Sequence, residues 1–309
     1  MIDETPLRAI VSLSKTSSFQ ESAKELAVSN ATLTRIIQRA EEQLGMVLFE
    51  RGRTGSALTS EGRAFLPLAE RLLGDLARFH KTSAAIRFGG ETTLSVGCGP
   101  LTTRTLVAPV LQAMLAETPT LRCRIDVSAA NEPIAMLERG EIDVFVGDLT
   151  HTPRSEQIEI QILERRQVIF VIRRGHPLQS GGPHHLRDVL DRFPMGSPFL
   201  HKHWQAALAM ALGGDEAAAD LAAQLPAMQC DDYALLADLC CNSDLVVGGM
   251  PETFAEFLVS GALRRLPLTE ELRWNICIAR RLGRPAPMQE RFWNGILAQK
   301  QAAPPASRG

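Results

Sequence analysis

Near residue 90 the hydrophobic pattern of the chain changes its period, and that change restricts what the chain can fold into. Before it, apolar residues recur at helical spacing. From Thr92 onward, short apolar runs alternate with helical stretches. Residues 94–97, 122–127 and 143–147 read as strands, and residues 102–115 and 133–139 as helices. This βαβαβ cadence implies an α/β domain with a parallel sheet and right-handed crossovers. A length of 309 residues, 45% of them hydrophobic, suits about two domains with ordinary cores.

The part before residue 90 reads as three short helices and a hairpin. Leu7, Ile10, Val11 and Ser14 share one stripe of a first helix, and Phe19, Ala23 and Leu26 one side of a second. Val28 to Asn30 forms a tight turn in which Ser29 caps a third helix. On that helix Leu33, Ile37, Ala40 and Leu44 cluster on one side. Ala31, Arg35, Gln38, Arg39 and Glu42 lie opposite, with Thr34 at the flank. An apolar stripe thus backs a face of small, amide and guanidinium side chains, chemistry that reads base edges and phosphates in a major groove. Gly45 closes the helix. Two short strands around Arg51-Gly52-Arg53-Thr54-Gly55 then read as a wing with arginines at its tip.

Charge does not make this case. The net charge is −2, and residues 1–64 carry as many acidic as basic side chains, so indiscriminate coating of nucleic acid is not expected. One tyrosine and three tryptophans leave little for a platform that stacks single strands.

After Thr59, which caps a new helix, Phe65, Ala69, Leu72, Leu76 and Phe79 follow at heptad spacing. Such a seam packs either on a second copy or on its own module. With no apolar partner nearby in sequence before the hinge-like 88–90, the second copy is the favoured reading. Pro67 inside this helix predicts a kink or a late start.

The pattern resembles that of LysR-type transcriptional regulators. Ser18-Phe19, Ala23, Leu26 to Ser29, Leu33 to Arg35, Ile37, Glu41, Leu44-Gly45, Leu48 to Arg51 and Leu58 to Gly62 match the family's N-terminal signature. Farther on, Thr118-Pro119, Leu137 to Val144 and Gly175 to Leu178 match phrases of its effector domain. The resemblance implies a winged helix-turn-helix over residues 1–58, a dimerising linker helix over 59–90 and an effector domain over 91–303, before a tail at 304–309. That domain is similar to periplasmic binding proteins, with lobe one over 92–164 and 269–303 and lobe two over 165–268. DNA contacts are expected at Ser29, Asn30, Ala31, Thr34 and Arg35 on the third helix, joined by Gln38 and Arg39 from its outer face, and at Arg51 and Arg53 in the wing. Asn30, Ala31, Ile36 and Ala40 depart from the family's usual residues, which leaves the target sequence open.

Ligands of α/β sheets bind beyond the carboxyl ends of strands. Residues 100–103 and 128–131 sit there, and their hydroxyl and amide groups either hold an anion or cap helices. The resemblance adds effector contacts at Thr102, Thr103, Ser128, Pro198, Phe199, Gly248 and Gly249, with Arg104 and His201 as partners for a carboxylate. It therefore implies a small anionic effector and a homodimer or homotetramer on inverted-repeat double-stranded DNA, with RNA polymerase as a further partner.

Other classes find less support. No Gly-rich phosphate loop, nucleophile elbow or HExxH motif points to an enzyme built on the two-lobed domain. A transport-type solute receptor is opposed by the acidic start of the chain, which lacks a signal-peptide pattern, and by the N-terminal module. No apolar run reaches the ~18 residues of a membrane span, and six cysteines without paired short spacings suit a reducing cytoplasm. His184-His185 and His201-Lys202-His203 lack a third ligand at fixed spacing and read as solvated loop residues, so neither metal nor cofactor is expected. Cys230, Cys240 and Cys241 read as buried structural thiols.

Overall fold

The computed structural model describes residues 3–52, 55–87, 92–130, 132–150, 152 and 155–302. The chain divides into two compact units, residues 1–89 with 138–141, and the remainder.

In the first unit α1 (Glu4–Thr16), α2 (Phe19–Glu25) and α3 (Asn30–Leu44) enclose a small core. Their ends follow from local chemistry. Ser18 and Ser29 accept the N–H groups of Glu21 and Thr32 at the starts of α2 and α3, and Gly45 ends α3 at φ 67°. Ile10, Leu13, Ala23, Leu33, Ile37, Ala40 and Leu48 are buried together, and Ile36 packs half-buried against them. The Glu41 carboxylate accepts the Leu48 and Phe49 N–H groups at 2.7 and 3.0 Å, tying α3 to the hairpin. That hairpin pairs β1 (Phe49–Gly52) with β2 (Gly55–Leu58) in antiparallel register.

The linker helix α4 (Ser60–Arg87) starts before Pro67 and continues through it, so the late start expected from that proline does not occur. Thr59 caps it, accepting the Gly62 N–H at 2.9 Å. A Cβ on Gly62 would lie 2.1 Å from the Leu48 carbonyl oxygen, which is backbone and cannot swing aside. Gly62→Ala is therefore expected to destabilise the N-terminal unit by about 1–3 kcal/mol, the usual cost of overpacking. Urea unfolding followed by far-UV circular dichroism measures it, and an unchanged midpoint contradicts the assignment.

The second unit carries β3 (Thr93–Cys98), α5 (Pro100–Thr102), a π-helical turn (Thr103–Val107), α6 (Ala108–Glu117), β4 (Arg122–Val127), α7 (Pro133–Glu138) and β5 (Val144–Gly147). There follow β6 (Ile158–Arg173), α8 (Leu186–Leu190), β7 (Met195–Ser197), α9 (Lys202–Ala211), α10 (Glu216–Ala223) and β8 (Met228–Gln229). The last elements are α11 (Tyr233–Cys241), β9 (Val246–Gly249), α12 (Ala255–Ser260), β10 (Leu263–Leu266), β11 (Leu272–Arg281) and α13 (Pro287–Ala302).

The strand order is β4-β3-β5-β11-β6-β9-β7-β8, with β10 also on β6. β3 pairs parallel with β4 and β5, and β7 parallel with β8 and β9. The long antiparallel pair β6 and β11 joins the two parallel groups. Residues 158–168 of β6 pair with β11, and its C-terminal residues pair with β9 and β10. β5 and β9 are buried at every position, as expected of strands covered on both faces. Among the described residues no helix is long and apolar enough to cross a membrane.

Candidate nucleic-acid interface and ligand cavity

The outward face of α3 is laid out by its inward one. With Leu33, Ile37 and Ala40 at 0–3% exposure, the helical repeat turns Asn30, Ala31, Arg35, Gln38 and Arg39 to solvent. Neither Arg35 nor Arg39 has an ion-pair partner among the described residues, so both guanidinium groups keep their charge and donors for an external acceptor. Two of the expected contacts have other work. Ser29 is committed to its cap, where its hydroxyl also meets the Thr32 hydroxyl at 2.8 Å, and the Thr34 hydroxyl donates to the Asn30 carbonyl at 2.8 Å. Arg51 lies in β1, and Arg53 lies outside the described residues.

The linker seam divides along its length. Ala69 is 1% exposed and packs with Leu7 and Val11 of α1, and Phe65, Leu66 and Leu73 lie against the same cluster. Phe65 and Ala69 thus serve their own module. Leu68 and Leu72 stay 59% and 44% exposed, Phe79 is exposed as well, and Leu76 is half-buried.

In the second unit a cavity of about 190 Å³ opens where the two parallel groups of strands meet. Ser128, Pro198, Phe199, His201 and Gly248 line it, as expected, whereas Thr102, Thr103 and Gly249 do not. The Thr102 side chain is fully buried and donates to the Gly99 and Val146 carbonyls, and the Thr103 hydroxyl donates to Gly99. Both hydroxyls thus donate to backbone carbonyls, and neither accepts a backbone N–H as a helix cap would. Gly249 is buried, and a Cβ there would meet Phe254 at 2.8 Å. Asn131 lies outside the described residues.

Sequence reasoning missed most of the wall. Phe145, Phe170, Trp204, Tyr233 and Trp274 join Phe199, so that six aromatic side chains surround one cavity. These aromatics come from separate strands and helices, so no local pattern groups them. His201 and His203 are not solvated loop residues, as their spacing suggested. The His201 ring bonds the Ala129 carbonyl at 2.5 Å and stacks on His203, whose Nε2 lies 3.3 Å from the Asp148 carboxylate. Trp204 donates to that same carboxylate at 3.0 Å. These contacts bind the segments after β4 and β5 to the start of α9.

Arg104 is exposed and absent from the wall, and among the described residues no lysine or arginine lines the cavity. The carboxylate that does stand in the wall, Asp148, adds negative charge. His184 and His185 lie away from it, on the Leu178 carbonyl and on Glu270 and Thr269.

Cys240 is fully buried, donates to the Leu245 carbonyl at 3.1 Å, and has its pKa pushed up to about 12 by burial. Burial also raises Cys241. These are poor thiolates, unlike the low-pKa cysteines that sense oxidants. Among the described residues no group of three or more His, Cys, Asp or Glu side chains is placed to hold a metal.

A helix-turn-helix with an unpaired basic face, followed by an α/β domain with an apolar cavity, defines a ligand-responsive transcription regulator rather than an enzyme. Residues 5–63 match the bacterial regulatory helix-turn-helix protein of the lysR family, and residues 89–301 match the LysR substrate binding domain. The chain belongs to the LysR family.

Among similar proteins, the SDS degradation transcriptional activation protein of Pseudomonas sp. is 29% identical over 316 residues, covering 99% of each chain. The HTH-type transcriptional regulator CitR of Bacillus subtilis is 30% identical over 165 residues, covering 53% of this chain and 56% of CitR. The crystal structure of CbnR, a LysR family transcriptional regulator, shares the fold at a TM-score of 0.58 and 21% identity, over 97% of this chain and 99% of CbnR. Full-length CbnR complexed with its target DNA gives a TM-score of 0.57 at 23% identity, over 97% of this chain and all of that one.

Proposed function

We propose that the protein works in the cytoplasm as a homodimer or homotetramer on inverted-repeat operators. A small molecule in the cavity of the second unit then sets how it acts on transcription by RNA polymerase. The observation that carries the DNA part is the exposed, unneutralised pair Arg35 and Arg39 beside Gln38 on an α3 whose other side buries Leu33, Ile37 and Ala40. Side chains of this kind, presented on one helix, suit base edges and phosphates of a major groove. Asn30 and Ala31 stand at the exposed start of the same helix, and the expected backbone contacts Arg51 and Arg53 belong to the hairpin segment that follows it in the chain. One such helix covers only a half-site, so the exposed Leu68 and Leu72 of α4 fit a seam with a second copy, extended by Leu76 and Phe79.

The effector part rests on the cavity between the two parallel groups of strands, bridged by contacts from residues 129 and 148 to residues 201, 203 and 204. A ligand preferred by one arrangement of these bridges biases the whole unit toward it. DNase I footprinting on the DNA flanking the protein's own gene tests the proposal. Two protected half-sites about one helical turn (~34 Å) apart are expected, and protection without sequence preference overturns it.

A further inference from the structure

We infer that the effector is an uncharged, largely apolar molecule about the size of one substituted ring, carrying at most one neutral oxygen, and not a carboxylate. This inference rests on the reading of the cavity as the effector site.

Three observations support it. First, most of the backbone donors that would hold an anion at the ends of β3 and β4 are already used. The N–H groups of Ser128, Ala129 and Ala130 go to the Cys98 carbonyl at 3.1 Å, the Asp231 carboxylate at 3.0 Å and the Ser128 hydroxyl at 3.1 Å. The Ala129 N–H is thus taken by Asp231, a carboxylate of the protein itself. At the end of β3 Pro100 has no N–H, and the Gly99 and Thr102 N–H groups donate to the Val146 and Gly99 carbonyls.

Second, the polar side chains of the wall satisfy one another. Tyr233 donates to the Gly248 carbonyl, Ser197 to that of Pro198, Thr152 to that of Leu149, and Trp204 to Asp148. Asp148 is only 11% exposed and lies against His203 and Trp204. An anion entering this wall loses its hydration and meets a carboxylate but no lysine or arginine. The Ser128 hydroxyl accepts from Ala130, which leaves its own proton for a ligand oxygen.

Third, the dimensions suit a ring. About 190 Å³ is somewhat more than the ~150 Å³ apolar cavity that binds benzene, and the wall is rich in aromatic faces. Phe199 and His201 meet edge-to-face at 5.1 Å, and His201 stacks on His203 at 5.8 Å, a continuous row along one side.

The test compares neutral and anionic partners of one shape on the full-length protein by isothermal titration calorimetry: benzyl alcohol against benzoate, and 1-hexanol against hexanoate. At least one alcohol is expected to bind about tenfold or more tighter than its carboxylate, a difference of about 1.4 kcal/mol. Phe199→Lys, at a half-exposed position of the wall, is expected to reverse that order by supplying the missing cation. Ser128→Ala is expected to weaken benzyl alcohol while leaving toluene unchanged. Equal or tighter binding of the carboxylates to the unaltered protein overturns the inference but keeps the cavity as the effector site. No binding by either alcohol overturns it as well. Alcohols that bind the unaltered protein and Phe199→Lys equally are bound elsewhere, and that result removes the effector reading of the cavity together with the inference.

Discussion

Glutamate at both Leu68 and Leu72 is expected to turn the protein into a folded monomer that has lost its operator. The reason lies in how the apolar face of α4 is shared. Advancing about 100° per residue from Leu68, Leu72 falls near 40°, whereas Ala69, Leu73 and Leu66 fall between about 100° and 160°. The second group packs on Leu7 and Val11 of α1, and the first stays 59% and 44% exposed. Charges on the open edge therefore spare the module's own core. They place like charges face to face in a two-copy seam, where burying them without partners is costly.

With the seam gone, each α3 holds its half-site alone. Joining two sites commonly raises affinity by about 10²–10⁴, and a loss of that order is expected in a gel shift. Sedimentation velocity should show the monomer mass, and far-UV circular dichroism an unchanged helix content. A double variant that remains oligomeric, or a monomer that binds the operator as tightly as before, contradicts the seam.

Arg35→Ala is expected to have the next largest effect. Arg35 extends from the solvent face of α3 with no ion-pair partner among the described residues, so removing it leaves no buried charge behind and the fold is untouched. A bidentate arginine–guanine contact contributes about 1–3 kcal/mol of discrimination. Two copies on a palindrome double this, which gives roughly a 30-fold to 10⁴-fold loss of specific binding. Lysine should not rescue it, since an ammonium cannot make the two parallel bonds of a guanidinium.

Arg39→Ala separates base reading from phosphate binding. Removal of a phosphate-binding side chain weakens binding uniformly across sequences and reduces the salt slope by about 1 for each phosphate no longer neutralised. Fluorescence anisotropy on operator and scrambled duplexes at several salt concentrations resolves both variants. If Arg35→Ala weakens the two duplexes equally, it is not the base-reading residue.

Much of this architecture was legible in the residues alone. Ser29, the stripe of Leu33, Ile37 and Ala40, and Gly45 define the start, inner face and end of α3 by rules that act within a few residues. The hairpin around residues 52–55 and the strands at 94–97, 122–127 and 143–147 were likewise visible from turn residues and apolar runs. Here periodicity and capping chemistry suffice, because the forces that set them are local.

What the tertiary structure decided depends on partners far along the chain. The heptad spacing of α4 marks an apolar face but does not say who covers it, and α1 takes Phe65 and Ala69 while Leu68 and Leu72 remain open. Whether Thr102 and Thr103 would hold an anion or cap a helix was open in the sequence, and in the fold their hydroxyls do neither, donating instead to the carbonyls of Gly99 and Val146. Beyond β4, where the sequence offered backbone donors to an anion, the Ala129 N–H goes to Asp231, 102 positions along the chain. A side chain's type restricts what it can bond to, but only the folded chain determines which donors are already taken.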